Sequence, residues 1–168
     1  MMNVPTKYSY KVNDHLYASE YPINKEDVGS SGKLAAMVRF GITDFIDLTE
    51  PGELNPYEQF LPDGVRYWRF PIHDNHPPKS AEEMDQIVAQ ISELVAQGRT
   101  INVHCWGGIG HTGMVICAWL GKSQGLDFDE AFALQQRLWR TNPKSTFTPY
   151  NIEEAQKDFL RKYLKDPE

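Results

Sequence analysis

Between Thr100 and Leu120 the chain reads as a short apolar strand, a glycine-rich loop and an apolar helix in direct succession. Thr100 to His104 is the strand, and Cys105 ends it. Trp106 to Gly113 then holds four glycines in eight positions, and Met114 to Leu120 is apolar almost all round, which predicts a buried helix. Glycines let consecutive backbone N–H groups turn inward, and a helix N-terminus adds unpaired donors and a partial positive charge. The pattern therefore predicts a cup for a tetrahedral anion such as phosphate. The same field favours the thiolate of a cysteine at its base, the nucleophilic form. Cys105 would then be placed for in-line attack on phosphorus. The plainer alternative makes Cys105 one more small buried residue at a strand end, but the glycines have no packing rationale there. Cys117, inside the apolar helix, reads as inert core filler.

The rest of the chain supplies the layers around this unit. Leu16-Tyr17-Ala18, Ile42 to Leu48 and Val65 to Phe70 read as strands. Lys33 to Phe40 reads as a helix stopped by Gly41. Ser80 and Glu83 spell a capping box before an apolar face of Met84, Ile87, Val88, Ile91, Leu94 and Val95. Asp127 and Glu130 spell a second box opening a helix to about Arg140, and Thr148-Pro149 predicts the start of the last one. His73 to Pro78 is a proline-bounded polar loop. Alternating strands and helices predict an α/β domain with a mainly parallel central sheet flanked by helices. At 168 residues, with no repeat or linker, residues 1–168 are expected to form a single domain.

Seventeen Lys and Arg against 23 Asp and Glu leave a net charge of −6, which argues against nucleic acid or a polybasic membrane contact as partner. No apolar run approaches a membrane span, and the opening residues lack the apolar middle of a secretory signal. Two cysteines imply no disulfide framework, so a reducing, cytoplasmic setting is expected.

His104-Cys105, the five residues Trp106 to Gly110, and Thr112-Gly113 closely match a known loop. The stretch resembles the phosphate-binding loop of the cysteine-dependent protein tyrosine and dual-specificity phosphatases, whose pattern is His-Cys, five residues, Arg, then Ser or Thr. The resemblance runs from about Leu16 to Leu164. It implies a phosphotyrosine-phosphatase-like fold and hydrolysis of a phosphate monoester through a cysteinyl-phosphate intermediate, with no cofactor or metal. The partner it implies is a phosphorylated protein or a small phosphate monoester. By the same resemblance, Trp106, Gly107, Gly108, Ile109, Gly110 and His111 bind the phosphate. Cys105 is the nucleophile, Thr112 assists the leaving sulfur, and Asp74, 31 residues before Cys105 on the His73 to Pro78 loop, is the general acid.

One position departs from the pattern. Where the family has arginine, this chain has His111. Arginine offers a planar fork of donors to two phosphate oxygens, whereas imidazole offers at most one such N–H and loses its charge near neutral pH. Weakened turnover follows, with phosphate binding less affected because the backbone cup survives. A pseudophosphatase that binds a phosphorylated ligand is the alternative, and thiol chemistry by a Cys105/His111 pair a third. Zinc on His73, His76, His111 and Cys105 fits no standard ligand spacing. His104 is expected to order the loop by hydrogen bonding. Trp68, Trp119 and Trp139 are expected in the core, with Trp106 walling the pocket. Gln156 reads as an exposed helix residue, with holding water near the site as the alternative, and Arg66, Arg69, Arg137 and Arg140 as solvated faces.

Overall fold

Leu16, Ala18, Ile101 and Val103 point to one side of the chain's central strands, while Tyr17, Asn102 and His104 point to the other, because strand side chains alternate. Both faces are therefore buried, and helices must cover each. The computed structural model describes residues 3–23, 32–148 and 152–165. Its strands are β1 (Ser9–Asn13), β2 (Leu16–Ser19), β3 (Asp44–Asp47), β4 (Arg66–Arg69) and β5 (Ile101–His104). The helices are α1 (Gly32–Phe40), α2 (Ala81–Ala96), α3 (Gly110–Gln124), α4 (Phe128–Trp139) and α5 (Glu154–Tyr163). The sheet order is β1-β2-β5-β3-β4, antiparallel only between β1 and β2. This is the expected α/β architecture with a mainly parallel sheet.

Two cores divide along the sheet. Leu34 and Met37 of α1 pack with Tyr17, Phe45 and Tyr57 on one face. Met84, Ile87 and Ile91 of α2, the whole middle of α3, and Leu160 of α5 fill the other. Every residue of α3 from Thr112 to Gly121 is buried, which explains its nearly unbroken apolar sequence. A Cβ on Gly121 would come within 2.5 Å of Leu164, so glycine there lets the end of α5 lie directly on α3. Among the described residues no helix is long and apolar enough to cross a membrane.

Local rules account for most boundaries, and the exceptions are physical. β1 is absent from the sequence reading because Ser-Tyr-Lys-Val-Asn lacks clean alternation; its pairing with β2 creates it. Ser80 does accept from the Glu83 N–H at 3.2 Å, but the Glu83 carboxylate reaches past Ser80 to the Lys79 N–H at 2.6 Å. The Asp127/Glu130 box closes fully. Thr148 does not open the last helix. It follows the 3₁₀ turn Pro143–Thr146, its N–H donating to the Lys144 carbonyl at 2.9 Å, and α5 starts at Glu154 behind a Glu153/Gln156 box. Pro149, the other half of that expectation, lies outside the described residues.

Candidate functional site

β5 lies in the middle of the sheet, between β2 and β3, so its carboxyl end delivers Cys105 to the crevice where α/β sheets bind ligands. The loop that follows is pressed against the end of β2. The Trp106 carbonyl accepts from the Tyr21 N–H at 2.9 Å, and Lys144 Nζ donates to the Gly107 carbonyl at 2.9 Å. Gly108 has φ 76°, and a Cβ there would lie 2.6 Å from the Ser19 carbonyl. Only glycine meets both conditions.

α3 then begins without a side-chain cap. Its N-cap is Ile109, which has no oxygen to offer and a backbone at φ −111°, ψ −69°. The first-turn N–H groups of such a helix look for an acceptor outside the chain. A cleft of about 190 Å³ opens here. All the predicted site residues line it except Gly108 and Thr112. Asp74 is therefore brought to the same cleft as Cys105, which is 7% exposed. Trp106 stands 64% exposed as one wall. Thr112 is fully buried, and its hydroxyl has no hydrogen-bond partner.

Sequence reasoning overlooked part of the lining. Glu53 and Glu153 both face the cleft, and among the described residues no lysine or arginine does. Gln156, expected on an exposed face with a place near the site as the alternative, is 2% exposed and lines it. Its capping-box spacing after Glu153 was the one available signal. Among the described residues, no group of three His, Cys, Asp or Glu is arranged to hold a metal ion.

Behind the loop lies a buried polar network. His104 is fully buried, and its Nε2 meets the Tyr57 hydroxyl. Burial pushes the imidazole below its ordinary value. Asp47, on the neighbouring strand, accepts from the Thr49 N–H and hydroxyl at 2.9 and 2.6 Å, from the Tyr67 hydroxyl at 2.6 Å and from Arg69 at 3.1 Å. Burial opposes its charge, but the His104 ring, Thr49 and Tyr67 outweigh it and hold the carboxyl below the usual range. Arg69 is thus half-buried and ion-paired rather than solvated. Trp119 and Trp139 are buried, and Trp68 is half-buried with its indole N–H on Asp44 at 2.9 Å.

On the open side, the loop carrying Asp74 turns through Asn75 at φ 61°, a left-handed conformation that asparagine tolerates. His73 Nδ1 meets Glu50 at 2.9 Å, and His76 Nδ1 donates to the Asp74 carbonyl at 2.6 Å. His111 Nε2 donates to the His76 carbonyl at 3.0 Å, and Gln156 Nε2 donates to the same oxygen at 3.3 Å. Burial pushes the His111 imidazole below its ordinary value, against the pull of the His76 carbonyl and Asp74. The site as a whole can offer main-chain donors to an oxyanion, a sulfur beneath it, and a carboxyl on a facing loop. Cys117 is fully buried, and burial pushes its thiol up to about 12.

Known proteins share both sequence and shape with this chain. Residues 28–153 match the family model for the catalytic domain of dual specificity phosphatases. Protein 067L of Invertebrate iridescent virus 3, named as a tyrosine phosphatase, is 29% identical over 133 residues, covering 74% of this chain and 54% of the viral protein. The chain thus spans about half the length of that relative. Among solved structures, Tk-PTP in its active form superposes with a TM-score of 0.76 at 26% identity, covering 94% of this chain and 96% of its own. PTPMT1 in complex with PI(5)P gives 0.73 at 14% identity, covering 94% of each, a likeness of fold.

Proposed function

The chain belongs to the dual specificity phosphatase catalytic-domain family, and on that premise we propose that it forms a single phosphatase domain that hydrolyses phosphate monoesters through Cys105. The cleft that Cys105 shares with Asp74, at the uncapped start of α3, carries this reading. The phosphate sits on the loop from Trp106 to His111, held by main-chain N–H groups and the helix N-terminus. The Cys105 sulfur bonds to phosphorus as the ester P–O bond breaks, and Asp74 gives its proton to the departing oxygen. Asp74 then takes a proton from water as that water attacks phosphorus, and the sulfur leaves. The orphaned Thr112 hydroxyl is the donor that stabilises the departing thiolate.

His111 stands where the family has arginine, and its N–H already serves the His76 carbonyl. Turnover is accordingly slow. The substrate is a phosphorylated protein or a small phosphate monoester. Rapid mixing with p-nitrophenyl phosphate tests the scheme: a burst of nitrophenol equal to the enzyme concentration, with phosphate recovered on Cys105, is expected. Slow hydrolysis that persists in Cys105→Ser would refute it.

A second reading is favoured by the same occupied His111 donor and by Glu53 and Glu153 in the cleft. It makes the domain a receptor for phosphorylated ligands whose chemistry is lost. That reading predicts ligand capture with no burst and no effect of Asp74→Asn.

A further inference from the structure

The His76 carbonyl oxygen has two lone pairs, and both are engaged, by His111 Nε2 at 3.0 Å and Gln156 Nε2 at 3.3 Å. The two donors come from the first turns of different helices, α3 and α5. Gln156 is not free to turn away. The Gln156 side chain is held at its other end, where Oε1 accepts the Glu153 N–H at 2.8 Å, and the residue is 2% exposed. His111 faces Asp74, Glu53 and the His73 and His76 backbone, and burial pushes its imidazole below the ordinary value. A carbonyl oxygen only accepts, so the bond to His76 requires a proton on Nε2. The carbonyl they grip lies two residues after Asp74, on a turn whose apex, Asn75, sits at φ 61°.

From this convergence we infer that His111 and Gln156 are positioning residues that latch the Asp74 loop to the N-terminal ends of α3 and α5. Asp74 and Asn75 are thereby kept in the cleft that Cys105 lines. The catalytic consequence, a correctly placed acid, rests on the phosphatase reading; the latch itself does not. His111 thus replaces grip on the ligand with grip on the loop opposite.

Hydrogen exchange in the ligand-free protein reads the latch without turnover. The reporting amides are Ile72 and His76, bonded to the Leu48 and His73 carbonyls at 3.0 Å each. His111→Ala and Gln156→Ala are each expected to speed their exchange by about two- to tenfold, the worth of one hydrogen bond, with α2 unchanged. His111→Gln, whose Nε2 reaches about as far, keeps the protection. Loop exchange at the wild-type rate in both alanine variants overturns the latch. A second arm compares phenyl phosphate, whose poor leaving group needs the acid, with p-nitrophenyl phosphate. Gln156→Ala should lower kcat on the first more than on the second at unchanged KM, and should add nothing to Asp74→Asn. Equal losses on both esters overturn the positioning role. Loosened loops with neither ester turned over would leave the latch standing and remove the phosphatase reading.

Discussion

α3 and α4 follow one another in the chain and begin in opposite ways. α4 is closed by its own sequence: Asp127, in an extended conformation, accepts from the Glu130 N–H at 2.9 Å while Glu130 accepts from the Asp127 N–H at 3.2 Å. α3 is left open, with Ile109 at the position where Asp127 stands in α4. A helix end left without a side-chain partner loses about 1 kcal/mol relative to a good cap. The chain accepts that loss at α3, whose first turn lines the cleft straight after Cys105, whereas α5 meets the same cleft through Gln156 and keeps its Glu153/Gln156 box. The lesson is that the helix start reached directly from Cys105 is left uncapped, while α4, away from the cleft, is closed by its own side chains.

The contrast can be tested by altering either end. The largest effect is expected at α3: His111→Arg restores a fork of donors beside the bound phosphate, and kcat on p-nitrophenyl phosphate should rise by about 10²–10³-fold. Unchanged turnover, with folding and phosphate binding intact, would break the account of His111. Ile109→Asp places a carboxylate at the open end, where it competes with the anion. Phosphate affinity by calorimetry should fall by about tenfold or more. At α4, Asp127→Ala removes the box and should cost about 1 kcal/mol in urea unfolding, with phosphate affinity unchanged.

The smallest effect is one of pH. The start of α3 is flanked by His104 and contains His111, both held below their ordinary value by burial, whereas the start of α4 carries exposed carboxylates. A base whose folded pKa is depressed is protonated first in the unfolded state, so stability is lost as pH falls through the ordinary histidine range of about 6.5 and below. Tm should therefore drop by a few degrees between pH 7.5 and 5.5, and the drop should shrink in His111→Gln.

The same contrast explains what was legible in the sequence. The run from Val103 to Gly113 shows itself because cysteine at a strand end, four glycines and an apolar helix have no common structural purpose except a cup. The Asp127/Glu130 box is equally local, and it formed as read. What escaped depends on partners distant in sequence. Gln156 is buried because the His76 carbonyl, 80 residues away, takes its amide. Arg69 loses its solvated face to Asp47, which is buried because β3 is covered on both sides. Glu53 and Glu153 reach the cleft through loop packing that no periodicity encodes. Thr148-Pro149 is a sound local start signal, but the helix opens instead where Glu153 and Gln156 cap one another.

The most direct test of an anion seat around a reactive sulfur is the alkylation of the folded protein by iodoacetamide, read by intact mass as tungstate or phosphate is added. Cys117, fully buried, serves as the internal reference. One equivalent is expected on Cys105, with a rate that falls saturably as the oxyanion rises and a weaker dependence in Ile109→Asp. Alkylation of Cys105 at the same rate with and without saturating oxyanion would contradict the account.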